Sequence, residues 1–319
     1  VFTRLDRFDR FVSALVFVPR DHFTTRVRIA IGDMLAERFG GYIAAFYPRF
    51  AEGPLVRVQY IVARRTGTLP NIDTAELEKA VADILRTWND ELGSALAARG
   101  PEGVHLAEAF IGAFPAGYAE VFSPARALED IARIERLALD RRTLIDIHRA
   151  GHRDEDRDPP RARAAIYCLD GPMSLSERVP LLENLGFTVV DERTWTVSPR
   201  IDGKRRNVVL HDMLLESAVA AMLGIGEPLD VRLEEAFIAV TDGQAENDAF
   251  NRLVLTAGLG WRDAAVFRAY AAYLRQLGSA YAPNHVAETL VGHVAVARDL
   301  FDLFQTLFDP AKALSLEAR

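Results

Sequence analysis

The chain has 319 residues, half of them hydrophobic and 26% charged, with a net charge of −7 at neutral pH. That length and apolar content predict a globular protein with a sizeable core, and the acidic balance excludes a general nucleic-acid binder, which needs a basic footprint. No apolar run approaches the roughly 20 residues that span a bilayer, and the single cysteine, Cys168, allows no internal disulfide and fits a reducing, cytoplasmic setting.

The first elements alternate between strand and helix. Phe11–Val18 reads as a buried strand ended by Pro19. Phe23, Val27, Ile31 and Met34 recur at helical spacing until Gly40-Gly41. Tyr42–Arg49 and Leu55–Arg64 are strand-like and joined by the turn Glu52–Pro54, which predicts a hairpin. Asp73 and Glu76 form a capping-box pattern, and one stripe from Leu77 through Trp88 to Leu96 predicts a single long helix. The order so far is β-α-β-β-α. Helical pattern continues after Gly100-Pro101, and Ser123-Pro124 marks a further helix start.

Arg149–Arg163 is charged, proline-bearing and nearly free of large apolar residues, which predicts a linker between domains. The pattern then restarts. Ala164–Asp170 is a strand, and Ser174–Gly186 a helix with a possible Ser174/Glu177 capping box. Phe187–Val197 and Asn207–Ser217 are strands joined by a basic turn at Asp202-Gly203-Lys204. From Leu229 onward the spacing is helical and predicts a bundle. The fold class is therefore α+β: two βαββ modules with flanking helices and a C-terminal helical bundle. The expected division is residues 1–148, a linker at 149–163, residues 164–228 and residues 229–319.

Few residues in this chain are arranged for chemistry. A dinucleotide cradle needs G-x-G-x-x-G between a strand and a helix. The glycine pairs Gly224–Gly226 and Gly258–Gly260 lie between helical stretches and lack the third glycine. There is no P-loop and no nucleophile elbow. His148 and His152 straddle Gly151 in the charged segment, and His285 and His293 are isolated, so no metal site is expected. Cys168 lies in an apolar strand and reads as core. His22, after the first strand, reads as helix-end polarity. Asn247, Asp248, Asn251 and Arg252 partly share a helix face, with no histidine or lysine near Asp248 in sequence. They read as a polar anchoring cluster within a scaffold rather than as catalytic residues.

Three stretches also carry a resemblance. FDRFVSALVFVPRDHFTT (Phe8–Thr25), LSERVPLLENLGFTVVDER (Leu175–Arg193) and AENDAFNRLVLTAGLGWRDAAVFRAYAAYLRQ (Ala245–Gln276) resemble successive signatures of the large bacterial NAD-specific glutamate dehydrogenases, in the family's order. The resemblance implies the N-terminal, non-catalytic region of such a protein, with ACT-like (ferredoxin-like) modules and helical segments. A first residue that is Val rather than Met agrees with a piece of something longer. NAD would belong to the parent enzyme, which oxidatively deaminates L-glutamate to 2-oxoglutarate and ammonium; no cofactor is expected in this piece. Implied partners are the downstream catalytic domain, further copies in a homo-oligomer, and a possible amino-acid effector. By resemblance, the effector positions are the loops at Pro19, Arg20 and Asp21 and at Gly171 to Ser174, and the turn at Asn184 to Gly186. A purely structural scaffold is the alternative, and a self-contained enzyme with an acidic site the more remote one.

Overall fold

A computed structural model describes residues 1–8, 10–50, 52–64, 72–140, 142–149, 160–217 and 228–310. The chain folds as two compact units, Val1–Glu91 and Leu92–Arg319.

In the first unit, strict alternation makes a one-sided sheet. Strand β1 (Phe2–Leu5) pairs antiparallel with β2 (Phe11–Pro19), which leads through a 3₁₀ turn (Arg20–His22) into α1 (Thr25–Arg38). Thr24 caps α1 by accepting the Val27 amide at 3.2 Å. Strands β3 (Gly41–Phe50) and β4 (Leu55–Arg64) follow, then α2 (Thr74–Leu85), capped by Asp73. The order across the sheet is β1-β2-β4-β3, all antiparallel. Val12, Val16, Val56, Val58 and Val62 point to one face and are buried with Ile31, Leu35, Leu77 and Val81 of the two helices. Each such side chain contributes roughly 1.5–3 kcal/mol. Gly41 is required where β3 meets β4, since a Cβ there would lie 2.2 Å from the Ala63 carbonyl oxygen.

The expected single helix through Trp88 is two. It ends at Leu85, and α3 (Trp88–Ala97) starts anew. Thr87 and Asp90 form the break: the Asp90 carboxylate accepts the Thr87 amide at 2.9 Å, and Thr87 Oγ1 accepts the Asp90 amide at 3.2 Å. This reciprocal cap outweighs the continuous apolar stripe.

Helices α4 (Pro101–Phe110), α5 (Ala116–Val121) and α6 (Pro124–Asp140) precede the second sheet. Its strands are β5 (Thr143–Arg149), β6 (Arg161–Leu169), β7 (Thr188–Val197) and β10 (Val208–Glu216), in the order β5-β6-β10-β7. Helix α7 (Leu175–Asn184) joins β6 to β7, and α8 (Pro228–Thr241) follows β10. Between β7 and β10, the minimal strands β8 (Arg200–Ile201) and β9 (Lys204–Arg205) flank Asp202 and Gly203, both at positive φ, as a tight hairpin needs.

The two sheets have the same order. In each, the outer place beside the first strand of the βαββα unit is filled by a strand that comes before it. Neither β1 nor β5 is expected from sequence. The segment 149–163, expected as a linker, overlaps a strand at each end. Arg149 ends β5 and Arg161–Arg163 begin β6, and these strands are hydrogen-bonded to each other. Their arginines are carried by partners on β10: Arg161 donates to Glu216 at 2.9 Å and Arg163 to Asp212 at 3.0 Å. Residues 150–159, His152 among them, lie outside the described residues. The sheet is covered on both sides, so β6 and β10 lose alternation and read as continuous apolar runs. Ile145, Ile147, Ile166, Met213 and Leu215 pack against Leu181, Leu182, Leu233 and Phe237 of α7 and α8. Tyr167 and Trp195 face α5 and α6.

A 3₁₀ turn at Ala249–Asn251 opens the last region, followed by α9 (Arg252–Ala257), α10 (Trp261–Gln276), α11 (Pro283–Gly292) and α12 (Val294–Phe308). Phe250, Leu253, Phe267, Ala287, Ala297 and Phe301 form its core. The fold is thus α+β, with two ferredoxin-like sheets and a helical bundle.

Candidate functional site

The chain from β6 into α7 makes the most featured cleft. Asp170 takes a left-handed conformation (φ 63°) directly after β6, and its amide donates to the Asn207 carbonyl at 2.8 Å. Gly171, Pro172 and Met173 then carry the chain over the sheet end to Ser174, which caps α7. Glu177 accepts the Ser174 amide at 3.0 Å and its hydroxyl at 2.7 Å. Together with Arg142, Thr143, Val240, Thr241 and Asn247, this turn encloses a cleft of about 570 Å³. Cys168, Leu169 and Leu181 make its apolar floor, and Ser176 also lines it. The Cys168 thiol is buried, which pushes its pKa up and keeps it neutral. The cleft therefore offers one arginine, the Glu177 carboxylate, several hydroxyls and an amide over an apolar floor. Such a lining suits a small zwitterion better than a large apolar ligand.

Asn184, at the end of α7, donates from Nδ2 to Asn247 Oδ1 at 3.0 Å, so the α7 end is tied to the residue that lines the cleft. Arg252 donates to the Glu183 carbonyl at 3.3 Å. Gly186 sits at φ 101°, and a Cβ there would press on Leu255 at 3.2 Å. Its glycine follows from this close approach of α9. Asp248 caps the 3₁₀ turn by accepting the Phe250 amide at 3.0 Å. Its carboxylate also takes both arms of Arg268 at 2.6 and 2.9 Å, and Arg268 reaches Asn251 Oδ1 at 3.0 Å. Asn251 is buried and returns a bond to the Glu246 carbonyl at 2.9 Å. This network fixes the start of the bundle. It does not present a free nucleophile or base.

The structure thus brings Gly171, Ser174, Asn184 and Asn247 to one region, while Asp248, Asn251 and Arg252 stand behind it. Pro19, Arg20 and Asp21 belong to the other unit. There Pro19 ends β2, the Arg20 amide donates to the Pro54 carbonyl at 2.8 Å, and Asp21 is exposed in the 3₁₀ turn. Sequence reasoning missed Arg142 and Thr241, which follow or end predicted helices, and Arg268, which lies in the apolar half of its stretch.

Two further charged groups flank the second sheet. On the α7 side, Arg178 donates to Glu192 at 2.6 Å and to the Met173 carbonyl, and His211 Nδ1 lies 2.9 Å from Glu192. Burial, and secondly the Arg178 charge, hold the His211 pKa below its ordinary value. Burial works against Glu192 ionising, but the Arg178 and His211 contacts outweigh it and keep its pKa low. On the α6 side, buried Asp130 accepts from Tyr118 at 2.5 Å and Tyr167 at 2.7 Å, and Arg126 Nε lies 3.0 Å away. Nearby, Arg133 meets Asp146 at 2.7 Å. Burial opposes the Asp146 charge, yet bonds from His148 and Arg133 hold its pKa at about 2. These groups are enclosed by the sheet and its helices and act as polar fasteners.

Four family profiles match the chain in succession. They describe the glutamate dehydrogenase ACT2 domain (residues 1–89), helical motif 2 (94–137), ACT3 domain (145–227) and helical motif 3 (245–310). The limits of the ACT3 match take in residues 149–163. Among curated proteins, the NAD-specific glutamate dehydrogenase of Pseudomonas aeruginosa is 35% identical over 319 residues, which is 99% of this chain and 19% of that protein. Those of Halomonas elongata and Mycobacterium tuberculosis are each 33% identical, over 98% and 100% of this chain and 19% and 20% of theirs. The chain spans about a fifth of the length of the curated relatives it matches.

Proposed function

The chain belongs to the glutamate dehydrogenase family, of which it is the segment running from ACT2 through helical motif 3, and from that premise we propose that it is a regulatory and assembly region rather than a hydride-transfer domain. The whole protein would oxidise L-glutamate with NAD⁺ to 2-oxoglutarate, ammonium and NADH. Its dinucleotide would be held by residues outside this segment, in a downstream catalytic domain. The residues present at Gly258–Gly260 do not fit that cofactor. Gly258 is the C-cap of α9, and the Asp263 carboxylate already accepts the Gly260 amide at 2.8 Å at the start of α10. A pyrophosphate would meet a negative charge there. Gly224–Gly226 lies outside the described residues. A homo-oligomer in the cytoplasm completes this reading, and no helix among the described residues is long and apolar enough to cross a membrane.

The cleft at the β6–α7 turn carries the regulatory part of the proposal. Arg142 would take an effector carboxylate, and Thr143, Thr241 and Asn247 its amino group and polar side chain. Regulation further requires that the ligand prefer one of two arrangements of the protein. Calorimetric titration of the 319-residue chain with each standard amino acid tests the site. Heat is expected for at least one of them, and Arg142→Ala should weaken that binding by about tenfold, the worth of a charged hydrogen bond. Absence of heat with every amino acid rejects sensing by this segment. The second reading is a scaffold without a ligand. The Ser174–Glu177 cap supports it, because it already occupies the amide at the head of α7.

A further inference from the structure

The two sheets share one strand order but differ in cover. In the second, the helices immediately preceding its first strand lie on the face opposite α7 and α8. There Tyr167 of β6 donates to Asp130 of α6, Arg133 of α6 meets Asp146 of β5, and Trp195 of β7 packs edge-on against Tyr118 and Phe122. In the first sheet, the face opposite α1 and α2 displays Phe17, Tyr42 and Tyr47, which are 40%, 50% and 60% exposed. Arg4, Arg49 and Arg57 stand on the same face; by register no described residue of the four strands places a carboxylate there, and at its edge Glu52 of the β3–β4 turn shares a hollow with Phe17, Arg49 and Arg57. Arg49 and Arg57 are direct cross-strand neighbours. A like-charge pair in that position costs stability until an anion lies over it.

We propose that this face is an interface, covered by the helical segment immediately upstream of Val1 in the full-length polypeptide. The occupant is an amphipathic helix or helix pair, with aspartate or glutamate beside its apolar stripe. Three observations support this choice of partner. The repeat supplies the geometry: where the same sheet recurs, the preceding helices seat on the corresponding face. The charges are complementary: helix α6 brings arginine to the carboxylate Asp146, whereas here the sheet brings the arginines, so the helix must bring the acids. The matched helical motifs are the second and third of their family, and the second precedes and covers ACT3, which leaves the equivalent place ahead of ACT2 to a first. Contiguous exposed aromatic side chains commonly mark an interaction surface. The inference rests on family membership and not on amino-acid binding.

A thiol reporter tests it. Gln59 lies at the centre of the face, opposite Leu15 and Tyr47, and the native Cys168 is only 4% exposed. In the Gln59→Cys chain of 319 residues, N-ethylmaleimide should modify the new thiol rapidly and at a rate independent of protein concentration. In a longer chain that includes the upstream residues, labelling should slow by about tenfold or more. Adding Arg57→Glu to the longer chain should bring the rate back towards that of the short one. Equal rates in the two lengths would overturn the proposal. So would slow labelling of the short chain that speeds up on dilution, which would assign the face to a second copy. Circular dichroism of each variant verifies that the sheet is intact.

Discussion

Titrating side chains give the clearest reading at the scale of single residues. Glu234 sits on α8 beside β5, and burial, with the Asp146 charge second, raises its pKa to about 7 from an ordinary 4.5. The folded chain keeps this proton where the unfolded chain has released it, so stability falls as pH rises from about 4.5 through 7. Glu234→Gln removes that loss. The gain in melting temperature over the parent should therefore be larger at pH 8 than at pH 5, and a gain independent of pH would reject the assignment. His211 works in the opposite direction. Its folded pKa lies below the ordinary 6.5, so the unfolded chain binds the proton first and stability declines as pH falls below that value. The sequence makes the acid–amide cluster Asn247, Asp248 and Asn251 visible as polar residues at the head of a helical stretch. It does not reveal Arg268, the partner of Asp248 and Asn251, because seventeen or more positions separate it from them and only the fold brings them together.

Among the elements, those with a local signal were legible. The alternation of Leu55–Arg64 and the Ser174/Glu177 pattern both place an element and its start. Ser174→Ala should cost about 1 kcal/mol in denaturant unfolding, the usual value of a helix N-cap; no loss would mean that Glu177 alone satisfies the amides. Strands β1 and β5 were not legible. Four residues of β1 are too short for a periodic pattern, and β5 follows α6 so closely that its leucine and isoleucines continue the helical run. The charged stretch after β5 resembled a linker because Arg161 and Arg163 find their carboxylates on β10, far along the chain.

For the molecule as a whole, two units with separate cores should unfold separately. Scanning calorimetry is expected to resolve two transitions. Gly41→Ala should lower one of them, because its Cβ cannot fit beside Ala63, and Gly186→Ala the other. A single transition moved by both substitutions would show that the units melt as one. The candidate cleft was half visible: the β6–α7 turn is where the resemblance put an effector, but its far wall comes from the end of α8 and from Asn247, which no local pattern connects to it. The shared strand order also has a bearing on synthesis. Leaving the ribosome at about 5–20 residues per second, each sheet exposes its two outer parts before β4 or β10 arrives to fill the middle. During that interval the newborn protein carries an unzipped apolar seam, a natural landing place for chaperones and the moment at which neighbouring nascent chains are most prone to tangle.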